Sequence, residues 1–289
     1  MAVEIAPTLT HRAAHVASPA PAPFIKWVGG KGGLLRQLSP MLPGYFKGYH
    51  EPFVGGGAMF FATRPAQARL TDLNGRLIEA YNVLRDEPLA LIERLEHHSR
   101  RHSSDHFYHS RGRFNAPAGL GPIDRAALFI YLNKTCFNGL YRENKSGAFN
   151  APIGRYTRPR IVDHDGLLAA SAALRGVALE VASFERVLDH AEPDDFVYFD
   201  PPYVPVSDTS RHTAYTGAGF GMLEQTKLAK TFAELAQRGC RVMLSNSDAP
   251  EVHELYRGWR VDRVTRSGAM NSKGGLRKER VGEVVVRSW

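Results

Sequence analysis

Phe196-Val197-Tyr198-Phe199-Asp200-Pro201-Pro202-Tyr203 runs four apolar residues straight into a carboxylate, two prolines and a tyrosine. A short, continuous apolar run bounded by turn formers predicts a strand buried on both faces, as in a parallel sheet. Proline has no N–H to give a ladder, so the strand ends at Asp200. Ligands of open α/β sheets bind beyond the carboxyl ends of the strands, which is where Asp200–Tyr203 falls. Two prolines remove two donors and stiffen the chain, leaving carbonyls, a carboxylate and an aromatic face in a fixed array. That array suits an amino group on a planar ring, whose two hydrogens the oxygens accept while Tyr203 stacks. A rigid strand-to-loop turn is the plainer alternative for the same four residues.

Outward from this stretch the chain alternates strand and helix. Gly48–Glu51, Arg69–Thr71, Val177–Val181 and Arg241–Ser245 read as further buried strands. Leu77, Ile78, Tyr81 and Leu84 share one helix face behind Asp72 and Asn74 as N-cap candidates. Leu228, Phe232 and Leu235 do the same in a segment closed by Gly239. The alternation predicts an α/β fold with a mostly parallel sheet covered on both faces. Trp259–Thr265 and Val281–Arg287 are expected to form a hairpin at the sheet edge. Residues 86–160 break the rhythm, with helical stretches such as Asp124–Lys134 and then a loop-rich run holding Asn138-Gly139, Ser146-Gly147 and Pro159. The expected organisation is a leader of Ala, Ser and Pro over 1–23, disordered and not a secretory signal, a sheet domain over 24–75 and 162–289, and an inserted, mostly helical domain over 76–161.

Composition narrows the function classes. With 43% apolar and 23% charged residues the chain is neither fibrous nor disordered. No stretch approaches the ~18 apolar residues of a membrane helix. Cys136 and Cys240 cannot build a disulfide framework, and no Cys/His cluster points to zinc, so a reducing cytosol and a metal-free site are expected. The net charge is +8, and six of those eight charges lie within 76–161, where fourteen Lys/Arg face eight Asp/Glu. Such a concentration favours a polyanionic partner, nucleic acid first, over a merely solvated surface. Five of the twelve histidines fall in the same segment.

Two more motifs flank the sheet. Glu51-Pro52-Phe53-Val54-Gly55-Gly56-Gly57 follows one strand and precedes the helix with Phe60 and Phe61, a turn that lets a ligand approach the backbone. Asp72 ends the next strand, where a carboxylate can take two ribose hydroxyls or cap the following helix. Phe24-Ile25-Lys26-Trp27-Val28-Gly29-Gly30-Lys31 ends in Lys-Gly where a Walker loop needs Lys-Ser/Thr, which disfavours ATP.

Together these pieces resemble the Dam-like DNA adenine-N6 methyltransferases of the D12 class. KWxGGK at Lys26–Lys31, PFxGxG at Pro52–Gly57, Asp72 in TDLN and DPPY at Asp200–Tyr203 stand in the α-type motif order. Tyr131–Lys134, Phe137–Leu140 and Gly147–Tyr156 extend the likeness into the insert. The resemblance implies a Rossmann-like sheet that binds S-adenosylmethionine. Trp27, Gly30 and Lys31 lie near its methionine end, Phe53, Gly55 and Gly57 beneath it, and Asp72 on the ribose. Phe184 falls beside the adenine, though it could equally be core. Asp200 then touches both the cofactor region and the target amine. Asp200 and the Pro201 carbonyl localise the amine lone pair for direct transfer, and Tyr203 stacks on the flipped base. Neither cysteine is placed as the nucleophile of a cytosine-C5 enzyme.

The insert is expected to read double-stranded DNA at GATC. Phe137 would wedge into the duplex, Asn138 and Leu140 flank it, Arg142 would bond a guanine edge, Lys26 would meet the first base, and Lys145 a phosphate. Lys273 and Arg277, in the loop Ser267–Lys278, would line the phosphates. The rival readings are a cytosine-N4 methyltransferase and a DNA-binding relative without turnover. A cytoplasmic monomer in a prokaryote or phage is expected, with a cognate restriction endonuclease as a further possible partner.

Overall fold

The computed structural model describes residues 19–205, 220–265 and 282–289. Strands form at each of the apolar runs: β1 (Tyr49–Glu51), β2 (Ala68–Asp72), β3 (Ala178–Val181), β4 (Phe196–Phe199), β5 (Arg241–Ser247), β6 (Arg260–Thr265) and β7 (Gly282–Arg287). They make one sheet in the order β3-β2-β1-β4-β5-β7-β6. The first five are parallel, while β7 runs antiparallel to both β5 and β6. The C-terminal hairpin therefore closes one edge, as its sequence predicts. Strand order runs outward in opposite directions from the β1–β4 pair, where Tyr49 aligns with Phe196. That pair is the topological switch point, and a crevice is expected beyond its carboxyl ends.

Period-two alternation sorts the strand residues between two cores. Tyr49, Leu70, Phe196, Tyr198, Met243 and Val285 join one apolar cluster; Val197, Phe199, Val242, Leu244, Val284 and Val286 join the other. The first face carries α1 (Leu35–Leu38), α2 (Ala58–Thr63), α3 (Gly75–Asp86), α4 (Pro88–Arg100), α5 (Ser104–Asn115), α6 (Pro122–Thr135) and α7 (His164–Leu174). The second face carries α8 (Met222–Gln237) and α9 (Pro250–Leu255). The cap of α3 is Asn74, whose side chain accepts the Leu77 N–H at 3.1 Å. α6 starts at Pro122 and is buried along most of its length, since α3, α4 and α5 surround it. Its apolar side chains share one continuous cluster with the sheet face.

Beyond α6 the chain makes a short turn at Phe137–Gly139 and then a hairpin, with Glu143 bridged to Phe149. The Asn144 side chain accepts the Ser146 and Ala148 N–H groups at 3.0 Å each, which fixes the tip. Among the described residues no helix is long and apolar enough to cross a membrane.

Candidate functional site

Three strand ends deliver carboxylates to the switch-point crevice: Glu51 follows from β1, Asp72 from β2 and Asp200 from β4. The crevice is a cleft of about 1200 Å³. The Pro52–Gly57 loop forms one wall. Gly55 has φ +45°, and a Cβ there would lie 2.5 Å from the Trp27 ring; at Gly57, φ +67°, it would lie 2.8 Å from the Tyr81 hydroxyl. Glycine gives the backbone this positive φ and avoids both close approaches. The loop is tied at both ends of Gly55, whose N–H donates to Asp72 at 3.1 Å and whose carbonyl accepts the Tyr81 hydroxyl at 3.1 Å. The other Asp72 oxygen accepts the Asn74 N–H at 2.9 Å. Burial pushes the Asp72 carboxyl up, and these backbone donors oppose it.

Asp200 meets the Lys31 ammonium at 2.5 Å. Lys31 is only 3% exposed, donates also to the Gly29 carbonyl at 2.8 Å, and lies 4.8 Å from the centre of the Tyr203 ring. The Tyr203 hydroxyl donates to Glu283 of β7 at 2.8 Å. Gln225 holds the Pro202 carbonyl at 2.8 Å and Asn246 the Val204 N–H at 3.1 Å, so the Asp-Pro-Pro-Tyr segment is fixed from α8 and β5. Burial pushes the Asp200 carboxyl above its ordinary range, while the Lys31 cation pulls the other way. Glu51 is buried with the Tyr49 hydroxyl at 2.7 Å and the Phe60 N–H at 3.2 Å. Burial pushes its carboxyl up to about 8, against the pull of the Tyr49 hydrogen bond.

At the far end of the cleft Phe53 and Phe184 stack with centroids 5.6 Å apart, and Phe220 stands edge-on at 5.4 Å from Phe53. Phe184 is thus both core and cleft wall, since it is 6% exposed yet lines the cavity.

Lys26, Phe137, Asn138 and Leu140 form the other lip. Buried Asn133 of α6 holds the Lys26 backbone in this lip, accepting the Lys26 N–H at 2.9 Å and donating to its carbonyl at 2.7 Å. Gly139, φ +65°, passes so close that a Cβ would sit 2.5 Å from that of Lys26. The Lys26 ammonium points at Tyr156, 3.1 Å from its hydroxyl. Trp27 stacks on Tyr141 with centroids 5.6 Å apart and 22° between planes. Phe137 is 47% exposed, unlike the aromatic residues of the core.

The cleft therefore gathers Lys26, Trp27, Gly30, Lys31, Phe53, Gly55, Gly57, Asp72, Phe137, Asn138, Leu140, Phe184, Asp200, Pro201 and Tyr203. Arg142 and Lys145 stand outside its lining, exposed on the hairpin. Arg142 does not occupy the hairpin tip. Asn138-Gly139 closes the short turn at Phe137–Gly139, and the tip is Asn144–Gly147, where Lys145 sits. Arg142 stands on the leg, its Nε donating to Asn150 Oδ1 at 2.7 Å. Lys273 and Arg277 lie outside the described residues. Sequence reasoning passed over Phe220 and Glu283. Glu283 carried a signal, as the one carboxylate in an otherwise apolar Gly282–Val286 run; Phe220 carried none.

Residues 27–270 match the family described as D12 class N6 adenine-specific DNA methyltransferase. The chain is also similar over most of its length to individual proteins. It is 37% identical to a Type II methyltransferase, M1.LlaDCHI, of Lactococcus lactis subsp. cremoris over 92% of this chain and 95% of that one. It is 38% identical to the Type II methyltransferase M.MjaIII of Methanocaldococcus jannaschii, over 92% and 99%. A DNA adenine methylase of Vibrio cholerae is 34% identical over 91% and 94%.

Proposed function

Because the chain belongs to the D12 class of N6 adenine-specific DNA methyltransferases, we propose that its methyl donor is S-adenosylmethionine and that its target is an adenine flipped out of duplex DNA at GATC. Methylation of adenine in DNA is the family's activity; the donor, the flip and the recognition sequence are our reading.

The observation that carries it is the meeting of Asp200, Glu51 and Asp72 at the switch point, around a glycine turn with no room for a side chain. A bound donor fits this wall. Asp72 keeps lone pairs for ribose hydroxyls beyond the two N–H bonds it accepts, the Phe53–Phe184 end offers an apolar slot for a planar base, and the carboxylates suit a cation. When bound, S-adenosylmethionine supplies a methyl group activated by a sulfonium.

The residues of the chain do the rest. Lys31 favours the ionised form of a carboxylate that burial would otherwise neutralise, so Asp200 can accept a hydrogen bond from the N6 amine. The Pro201 carbonyl accepts the second hydrogen, which turns the amine lone pair out of conjugation with the ring. Glu283 holds the Tyr203 hydroxyl and so fixes the ring against which the base stacks. These are positioned dipoles in a largely buried wall, and their effect lies in orientation and preorganised charge. Phe137, exposed beside the cleft, fills the gap in the duplex. GATC is supported by the set Lys26, Phe137, Leu140 and Arg142, and the Type II names of two relatives support a cognate endonuclease.

The test is methyl transfer to plasmid DNA, followed by nucleases that differ in tolerance of N6-methyladenine within GATC. Protection at GATC, with N6-methyladenine the modified nucleoside by mass spectrometry, is expected. Protection at another sequence overturns the recognition site alone; N4-methylcytosine overturns the whole reading.

A further inference from the structure

Five histidines fall between His97 and His109, and the cleft described above uses none of them. Four of them lie on two consecutive helices, and His102 lies in the connection between these. α4 carries Arg94 and His97, with Arg101 as its C-cap, and α5 carries His106, His109 and Arg113. Spacings of three and four residues set each row along one helix face. The rows line a groove of about 560 Å³, with Leu120 and Leu128 as its apolar part.

The base of the groove is built from buried parts. His98, 8% exposed, stacks on the Tyr131 ring of α6 with centroids 4.9 Å apart and 15° between planes. Its Nδ1 lies 3.0 Å from His106 Nε2. A single proton between two imidazole nitrogens leaves the neutral pair with one N–H to donate outward. Burial and nearby cations hold His98 down at about 3, so its ring stays neutral.

The charges above are poorly balanced. Arg94 is paired with Asp124 at 3.0 Å. Arg101 donates to the His97 ring at 3.3 Å, and neither it nor Arg113 has a carboxylate in ion-pair reach among the described residues. Asp105 is the one further acid on the groove. No three side chains converge as metal ligands among the described residues, so a cation is not the missing partner. Two guanidinium forks and a donating imidazole match the oxygens of a phosphate. The volume falls within the ~300–1,000 Å³ of small-molecule sites, and Leu120 and Leu128 leave room for an apolar ring beside the phosphate.

We infer that this groove is a second ligand site and that it takes a phosphate monoester of mononucleotide size. It is separate from the recognition hairpin. On α5, Arg111 donates to the Ala151 carbonyl at 3.2 Å, at the foot of the hairpin. Arg113 follows two residues on, about 200° around the helix, so the groove opens on the other side.

The experiment is calorimetric titration of the full-length protein with AMP and with pyrophosphate. Saturating S-adenosylhomocysteine keeps AMP out of the cleft. Wild-type protein is expected to bind AMP one to one, and the double variant Arg101→Gln/Arg113→Gln to bind it on the order of tenfold more weakly or not at all. The double variant should still bind S-adenosylhomocysteine as wild type does, which shows that it folds. The proposal is overturned if neither probe binds wild-type protein, or if the double variant binds both unchanged. It is also overturned if only duplex DNA engages the groove, seen as a shallower salt dependence in the double variant without binding of AMP or pyrophosphate.

Discussion

Asp200 ends a strand buried on both faces and meets Lys31 at 2.5 Å, whereas Arg142 stands exposed on a hairpin leg with Asn150 as its side-chain partner among the described residues. Each is a charged side chain proposed to touch the target DNA, yet they are held by different physics. The cleft groups lie in a low-dielectric wall, where an unpaired charge is costly and each carboxylate has a fixed donor. The hairpin groups lie in water, where a missing partner costs little and the arginine can exchange Asn150 for a base edge. Chemistry needs the first arrangement, because its dipoles must be in place before the reaction. Reading needs the second, because its partner arrives from solution. This contrast orders the expected effects of substitution.

The largest effect is expected at Asp200. Asp200→Ala should reduce methyl transfer by ~100-fold or more, the usual range for a preorganised group at a reacting centre, while a gel-shift assay shows DNA affinity within a few-fold of wild type. Turnover close to wild type would break the comparison at its base. Lys31→Met sharpens it. Without that cation the Asp200 carboxyl rises further, since burial then acts unopposed. The ionised form is the one that accepts from the amine, so the acid limb of kcat/KM should move to higher pH. An unmoved limb would separate Lys31 from the ionisation of Asp200.

Next comes Arg142. A bidentate arginine–guanine contact contributes about 1–3 kcal/mol of discrimination. Arg142→Ala should therefore relax specificity at one guanine position and leave turnover on the cognate site less affected. Rates on a panel of near-cognate duplexes check this, and an equal loss on all of them removes the base-reading role. Asn150→Ala, which frees the guanidinium, should keep the preference.

The two regions also differ in how far their sequence disclosed them. The sheet was legible because burial on both faces forces continuous apolar runs, and Asp200 was legible because prolines follow it at a strand end. Asp72 was legible as a carboxylate at a strand end, and it serves the turn by accepting the Asn74 N–H, while Asn74 itself caps the helix. The hairpin was legible only as composition. Its tip depends on Asn144 accepting two N–H groups, a side-chain turn whose local signal is weaker than that of Asn138-Gly139 nearby. Glu283 and Phe220 come to the cleft by tertiary packing from more than fifteen residues beyond the motif, and no local pattern encodes that. The buried state of Glu51 was likewise invisible, because a motif does not state which of its members loses water.

Glu51 gives a pH test of the buried side of the comparison. Its carboxyl sits at about 8 in the protein as described, so it is mostly protonated at pH 7. A cationic ligand in the cleft favours the carboxylate and lowers that value, so binding at pH 7 should release up to one proton. Affinity for S-adenosylmethionine should then rise with pH through this range, by at most about tenfold per pH unit. Titration calorimetry in buffers of different ionisation enthalpy measures the released protons directly. Glu51→Gln should abolish the buffer dependence. A buffer-independent enthalpy for wild-type protein would show that Glu51 keeps its proton and faces no cation.

The smallest effect is expected at Lys145, on the exposed side. It sits at the tip Asn144–Gly147, and its neighbours there are the Asn144 side chain and water-facing backbone. A lysine so placed is expected to meet DNA through a phosphate, a contact that releases about one counterion and carries no sequence information. Lys145→Ala should therefore weaken cognate and non-cognate duplexes by the same factor and reduce the slope of log K against log salt by about 1. Binding measured across a salt series on both duplexes separates this from base reading. A change confined to the cognate duplex would place Lys145 on a base edge and move the reading centre from the Arg142 leg to the tip. An unchanged slope would instead leave the tip clear of the duplex, with phosphate binding carried by other basic residues of the segment.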